Sequence, residues 1–166
     1  DNEAGDDGGA IYMESDAYNG DTGYQRIDIG GNATFTSNIA YYNGGAIYMY
    51  SESDDGSGNT GNQSIFIGGN ATFTGNHTNE DDGGAIYIEA QSDLGNTGNQ
   101  RIDIEGNATF SGNSAGDNGG AIYMYSYSEY GNNGYKSIKI GTKVDGIISG
   151  GNATFSGNSA GYENED

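Results

Sequence analysis

The sequence predicts an all-β fold: a parallel β-helix, or β-solenoid, of about four coils of about 37 residues with three short strands each. Two observations carry this expectation. Asn-Ala-Thr-Phe recurs at 32, 70, 107 and 152, and Gly-Gly-Ala-Ile-Tyr at 8, 44, 83 and 119. Self-similarity at a period of roughly 20–50 residues is the signature of stacked repeats. Within each repeat the apolar residues alternate with polar ones at a period of two, which is a strand pattern, and glycine interrupts every segment long enough to be a helix.

The first strand of a repeat is Ala10 to Glu14, with counterparts at 46–50, 85–89 and 121–125. Alternation sets Ile11 and Met13 on one face, Tyr12 and Glu14 on the other. The second runs from Arg26 to Ile29 and recurs from Ser64, Arg101 and Ser137. Its isoleucines face in, and the position between them varies among Asp, Phe and Lys as a solvent position does. The third is Asn32 to Phe35 and its copies, with Ala and Phe inward. One inward set of six such residues is too small for a core, but stacked on its copies it becomes a continuous column. Ser15 to Gly23 and its equivalents are polar and rich in Gly and Asn, so they are expected as exposed loops. Gly30-Gly31 is expected as a tight corner where glycine takes positive φ.

The Phe-x-x-Asn endings place Asn38, Asn76, Asn113 and Asn158 at one corner of every coil, where inward amides would stack into a hydrogen-bonded ladder. Taking that Asn as the boundary, residues 1–166 form one domain with coils 2–38, 38–76, 76–113 and 113–158 and a tail, 159–166. The fourth coil departs from the others by nine extra residues within 141–149, including Val144, Ile147 and Ile148.

Composition narrows the function. Gly is 32 of 166, Cys and Pro are both 0, and the net charge is −19. Without cysteine there is no disulfide, thiol nucleophile or thiolate metal site. Lys and Arg total 5, which argues against nucleic acid, because binding to phosphates needs cations to displace counterions. No apolar run approaches the ~18 residues of a membrane-crossing helix. Hydrophobic content of 33% leans towards disorder, but disorder needs no period.

The pairing of Phe-x-x-Asn with Gly-Gly-Ala-Ile, as in Phe110 to Asn113 followed by Gly119 to Ile122, resembles the repeat of the chlamydial polymorphic outer-membrane proteins. The resemblance covers nearly the whole chain. It implies a right-handed parallel β-helix of the kind found in surface-exposed adhesins, and hence an extracellular or cell-surface location.

The expected function is structural: a subunit of an extracellular filament that polymerises head-to-tail by stacking the ends of its solenoid. Four whole coils present two open ends with unpaired strand edges, which invite another chain. Two different ends make a heterologous contact, which grows as an open fibre unless it closes. Residues 2–37 carry a net charge of −6 and residues 113–157 of 0, so the least acidic coil would meet the most acidic. Val144, Ile147 and Ile148 are the assembly candidates, as a latch to the next subunit; the alternative is a lengthened loop packing back on its own coil. The alternative function is an adhesin or carbohydrate-binding module of a larger surface protein.

Other candidate sites are weaker. Asn-x-Ser/Thr sequons at Asn32, Asn62, Asn70, Asn76, Asn107 and Asn152 are candidate glycosylation sites. Asp16, Asn19, Asp21, Asp54, Asp55, Asp81 and Asp82 give oxygen-rich loops suited to Ca²⁺, although they match no defined calcium loop. No other cofactor is expected, nor membrane insertion. Tyr12, Tyr48, Tyr87 and Tyr123 are expected as an outward stacked column, a structural feature or else a carbohydrate-binding face. An enzyme is not expected: Asp28, Phe66, Asp103 and Lys139 repeat no carboxylate on adjacent coils, and the single His77 has no apparent partner.

Overall fold

A computed structural model of the chain describes residues 1–54, 58–144 and 147–161, and of 142–144 and 147–149 the backbone alone. Asp55 and the tail beyond residue 161 lie outside the described residues, as do the side chains of Val144, Ile147 and Ile148.

The first coil comprises β1 (Glu3–Ala4), β2 (Ile11–Tyr18), β3 (Gln25–Ile29) and β4 (Ala33–Thr36). The second is β5 (Ile39–Ala40), β6 (Ile47–Asp54), β7 (Gln63–Ile67) and β8 (Ala71–Thr74). The third is β9 (His77–Thr78), β10 (Ile86–Ser92), β11 (Gln100–Ile104) and β12 (Ala108–Ser111). The fourth holds β13 (Ser114–Ala115), β14 (Ile122–Ser128), β15 (Lys136–Ile140), the pair β16 (Thr142–Val144) and β17 (Ile147–Ser149), and β18 (Ala153–Ser156). A last strand, β19 (Ser159–Ala160), lies over β13.

Apart from β16 and β17, strands pair in parallel with their equivalents one coil away. The sheets run β2-β6-β10-β14, β3-β7-β11-β15, β4-β8-β12-β18 and β1-β5-β9-β13-β19. The protein is therefore an all-β solenoid of about four turns. Register sets like on like: Ile27 faces Ile65, Phe35 faces Phe73, Ala71 faces Ala108. Repeating the sequence repeats the column, so each coil buries its apolar face on its neighbours. Ile47, Met49, Ile65, Ile67, Phe73 and their third-coil equivalents Ile86, Ile88, Ile102, Ile104 and Phe110 are shut off from solvent. The phenylalanines stack face on face at 4.8–4.9 Å from Phe35 through Phe155.

The structure differs from the sequence expectation in three places. The first strand is not five residues but seven or eight, running through the stretch expected as exposed loop. Small serines continue the inward alternation there: Ser51 and Ser53 are fully buried, and Ser51 Oγ shares a 2.6 Å hydrogen bond with Thr22 Oγ1. A buried hydroxyl is tolerable when hydrogen-bonded, so the strand extends beyond the apolar signal. Second, each corner Asn is followed by a fourth strand of two residues.

Third, Gly30 and Gly31 are not at positive φ. Left-handed glycines stand instead at the Gly-Gly-Ala corner, at Gly8, Gly44, Gly83 and Gly119, and just before the corner Asn, at Gly75, Gly112 and Gly157, among others. The second glycine of each Gly-Gly-Ala corner is required for room: a Cβ on Gly45 would stand 2.2 Å from the Gly84 carbonyl oxygen.

Among the nine extra residues of coil four, β16 and β17 pair antiparallel, with Val144 opposite Ile147 and Lys143 opposite Ile148. No helix among the described residues is long and apolar enough to cross a membrane.

Candidate functional site

The corner asparagines form a ladder through the whole stack. Asn2 Nδ2 donates to Asn38 Oδ1 at 2.8 Å, Asn38 to Asn76 at 2.8 Å, Asn76 to Asn113 at 2.9 Å and Asn113 to Asn158 at 2.9 Å. Each ladder oxygen also accepts the backbone N–H of the Asn one coil earlier. The second amide hydrogen of Asn76 and of Asn113 goes back to a phenylalanine carbonyl, Phe35 and Phe73, at 3.0 Å. Every donor and acceptor of these two buried amides is used, which is the condition for burying them without penalty.

Further ladders lie away from this corner. Gln25, Gln63 and Gln100 are buried, one to a coil; Gln63 Nε2 donates to Gln25 Oε1 at 3.0 Å and to the Glu89 carbonyl at 2.7 Å. In coil four Lys136 takes this register position and turns to Ser126 Oγ at 2.6 Å, leaving Gln100 Oε1 buried without a partner. Asp21, Asn59, Asn96 and Asn132 form an exposed ladder, each oxygen accepting the next backbone N–H at 2.6–2.9 Å. Asp7, Asn43, Asp82 and Asn118 form another, at 2.7–3.0 Å.

These ladders absorb part of the calcium candidate set. Asp21 and Asp82 have one oxygen committed to the backbone, and the bond from Asn59 holds the Asp21 carboxyl below its usual range. Asp16 and Asp81 are pushed up by partial burial and by neighbouring carboxylates. Asn19 is exposed in a left-handed conformation, and Asp54 is exposed at the end of β6. The structure brings no three acidic or His groups together in a metal-holding arrangement among the described residues.

The sequon asparagines divide. Asn32, Asn70 and Asn107 are exposed; their Oδ1 accepts the next coil's backbone N–H at 2.8–3.0 Å, and no described group takes their Nδ2, the atom that would carry a sugar. Asn62 and Asn152 are exposed as well. Asn76 is corrected: it is fully buried and both Nδ2 hydrogens are engaged in the ladder, so the folded chain has no room for a glycan there.

Tyr12, Tyr48, Tyr87 and Tyr123 stack at 5.0–5.5 Å with nearly parallel rings. The column is outward, yet Tyr48 and Tyr87 are buried within it. The hydroxyls of Tyr12, Tyr50 and Tyr87 donate to Glu14, Glu52 and Glu89 on their own strands. Its faces are filled by its own members, which leaves it structural.

Three segments of the chain, 32–50, 70–89 and 107–125, match the model of the Chlamydia polymorphic membrane protein repeat. No curated protein and no solved structure matches the chain. Each matched segment runs from one Asn-Ala-Thr-Phe strand across the corner into the next long strand. It thus holds the Phe column, the corner Asn, the Gly-Gly turn and the Tyr column. The repeat and the solenoid fit a surface-protein repeat module.

Residues outside the matched segments carry the Gln ladder, the ladder of Asp21, Asn59, Asn96 and Asn132, and the face of β3-β7-β11-β15. On that face is a groove of about 690 Å³, lined by Tyr24, Arg26, Ser64, Phe66, Arg101 and Tyr135 among others. The sequence reading missed it. The signal was there: Arg26 and Arg101 occupy the same register position on coils one and three with Ser64 between them.

Proposed function

We propose that the chain is a structural subunit of an extracellular, cell-surface filament, built by end-on stacking of one copy's fourth coil on another's first. One observation carries this reading: the core columns reach the coil-four face uncovered. Phe155 is 53% and Ile138 44% exposed, whereas Phe73 and Ile65 in the same columns are fully buried. A further coil of this geometry would remove that surface from water, at ~25 cal/mol per Å² of apolar area. At the other face Ile11 and Met13 are only half-buried, against complete burial of Ile47 and Met49. Charge supports the same polarity, since the acidic first coil would meet a fourth coil of zero net charge.

Stacking asks for one rearrangement. Three of the parallel sheets have four strands and the corner sheet five. The place over β13 is therefore wanted both by β19 and by the incoming copy's β1. Asn2-Glu3-Ala4-Gly5 and Asn158-Ser159-Ala160-Gly161 differ at one position, so either strand serves and one displaces the other. The β16–β17 hairpin stands in the coil that would meet the next copy, where Val144, Ile147 and Ile148 would latch the junction.

Sedimentation of the purified chain across concentration tests this. The parent should form large species as concentration rises, and Phe155→Asp should abolish them while leaving the β-sheet circular dichroism unchanged. A parent that stays monomeric at all concentrations would overturn the reading. Deleting 141–149 restores the spacing of the other coils; filaments as long and heat-resistant as the parent's would mean that the hairpin is no latch.

A further inference from the structure

Of the chain's five basic residues, four lie on the β3-β7-β11-β15 sheet: Arg26, Arg101, Lys136 and Lys139. The rest of this acidic chain is left almost without cations. The groove on that sheet is bounded at opposite ends by Tyr24 and Tyr135, which are 80% and 85% exposed. Both belong to a column whose inner members are Asn62 and Asn99, so the two rings stand three coils apart, about 14 Å. Phe66 projects between them from coil two, with Ser64 beside it as the gap between the two arginines.

We propose that this groove binds an uncharged oligosaccharide, laid along the stack between Tyr24 and Tyr135. The polar groups decide the ligand class. Each arginine is neutralised on its own strand, Arg26 by Asp28 at 2.6 Å and Arg101 by Asp103 at 2.5 Å, so the groove offers no free positive charge for a polyanion. What it offers instead is mixed. Asn62 Oδ1 accepts the Asn99 N–H at 2.7 Å, and Asn99 Oδ1 accepts the Tyr135 N–H at 2.9 Å. That fixes both amides with Nδ2 as an unused donor among the described residues. Asp103 Oδ1 is buried without a partner and calls for a donor. Sugar hydroxyls both donate and accept, which suits such a set. The apolar faces of pyranose rings suit exposed aromatic rings held on a rigid sheet, the usual composition of a small-molecule site being aromatic walls with a few placed polar groups. A phosphate- or sulfate-rich chain would find its countercharges already taken.

The site is independent of end-on stacking, because every residue named lies on the side of the solenoid and not on a coil face. The test is isothermal titration of the bacterially made, unglycosylated chain with three probes: cellohexaose, chitohexaose and hexagalacturonate. It is run on the parent and on the Phe155→Asp background, so that failure of assembly leaves the result readable. At least one uncharged probe should bind with Kd below about 1 mM. Tyr24→Ala combined with Tyr135→Ala should weaken it by roughly tenfold or more, and Tyr41→Ala, an exposed tyrosine outside the groove, should not. Unchanged melting of the double variant shows that the loss is local. Three outcomes would overturn the proposal: no heat from either uncharged probe up to about 5 mM, binding indifferent to the double variant, or binding of hexagalacturonate alone that vanishes with added salt.

Discussion

The corner asparagine of coil two gives the sharpest test of the ladder. Asn76→Asp keeps size and shape but exchanges the amide nitrogen for an oxygen. The remaining Oδ1 still accepts from Asn38. The nitrogen's two bonds, to Asn113 Oδ1 at 2.9 Å and to the Phe35 carbonyl at 3.0 Å, become contacts between acceptors in a site closed to water. Each buried group left unsatisfied costs about 1–3 kcal/mol, so the variant should lose about 2–6 kcal/mol. In a chain of this length that is a fall of roughly 5–20 °C in Tm. Asn70→Asp is the control. Asn70 uses only its oxygen, to accept the Asn107 N–H at 2.8 Å, so the change should stay within about 0.5 kcal/mol.

The carboxyl introduced at position 76 has its folded-state pKa raised by burial above the unfolded value of about 3.9. Its destabilisation is therefore fullest at neutral pH and shrinks as pH falls towards that value, where the protonated acid donates one of the two lost bonds. Differential scanning calorimetry at neutral and acidic pH measures both effects. Equal losses for Asn76→Asp and Asn70→Asp, or a loss at position 76 that does not change with pH, would refute the reasoning.

Other predictions follow from the same geometry. Gly45→Ala puts a Cβ 2.2 Å from the Gly84 carbonyl oxygen and 2.7 Å from the His77 backbone, so it should cost more than about 4 kcal/mol or prevent folding, read by circular dichroism on heating. Burial raises the pKa of Glu89 in the folded chain, so stability falls as pH rises from the unfolded carboxylate value through the folded one. The parent should accordingly melt higher on acidification from neutral pH, and Glu89→Gln should raise its neutral Tm by a few degrees and flatten that rise. In protein purified from a glycosylating source, peptide mass spectrometry should find sugar among Asn32, Asn62, Asn70, Asn107 and Asn152 and none on Asn76; a glycan on Asn76 would contradict its burial.

The apolar columns were legible because their signal is redundant: Ile, Met and Phe recur at fixed offsets four times, and alternation leaves one side for each. The corner ladder was legible for the same reason. The Gln25 and Ser51 positions were not, because a polar residue in a polar stretch looks the same whether it faces water or a partner. What distinguishes them is the partner one coil away, 38 residues on for Gln25. The ladders also explain a residue choice that composition hides. Where only the oxygen is essential, Asp and Asn interchange, as in Asp7, Asn43, Asp82 and Asn118; where the nitrogen must also donate into the core, every coil has Asn. The groove was invisible for a third reason. Its parts, Tyr24, Phe66, Arg101 and Tyr135, belong to no motif and meet only when the coils are stacked.

The central claim is that coils stack between copies as they do within one, and electron cryo-microscopy of the purified chain tests it most directly. The account predicts unbranched filaments whose subunits advance by about four strand spacings, about 19 Å, with the β-sheet ladder continuous across the junction. Single particles one chain in size at every concentration, or filaments joined side by side with Phe155 facing solvent, would contradict it.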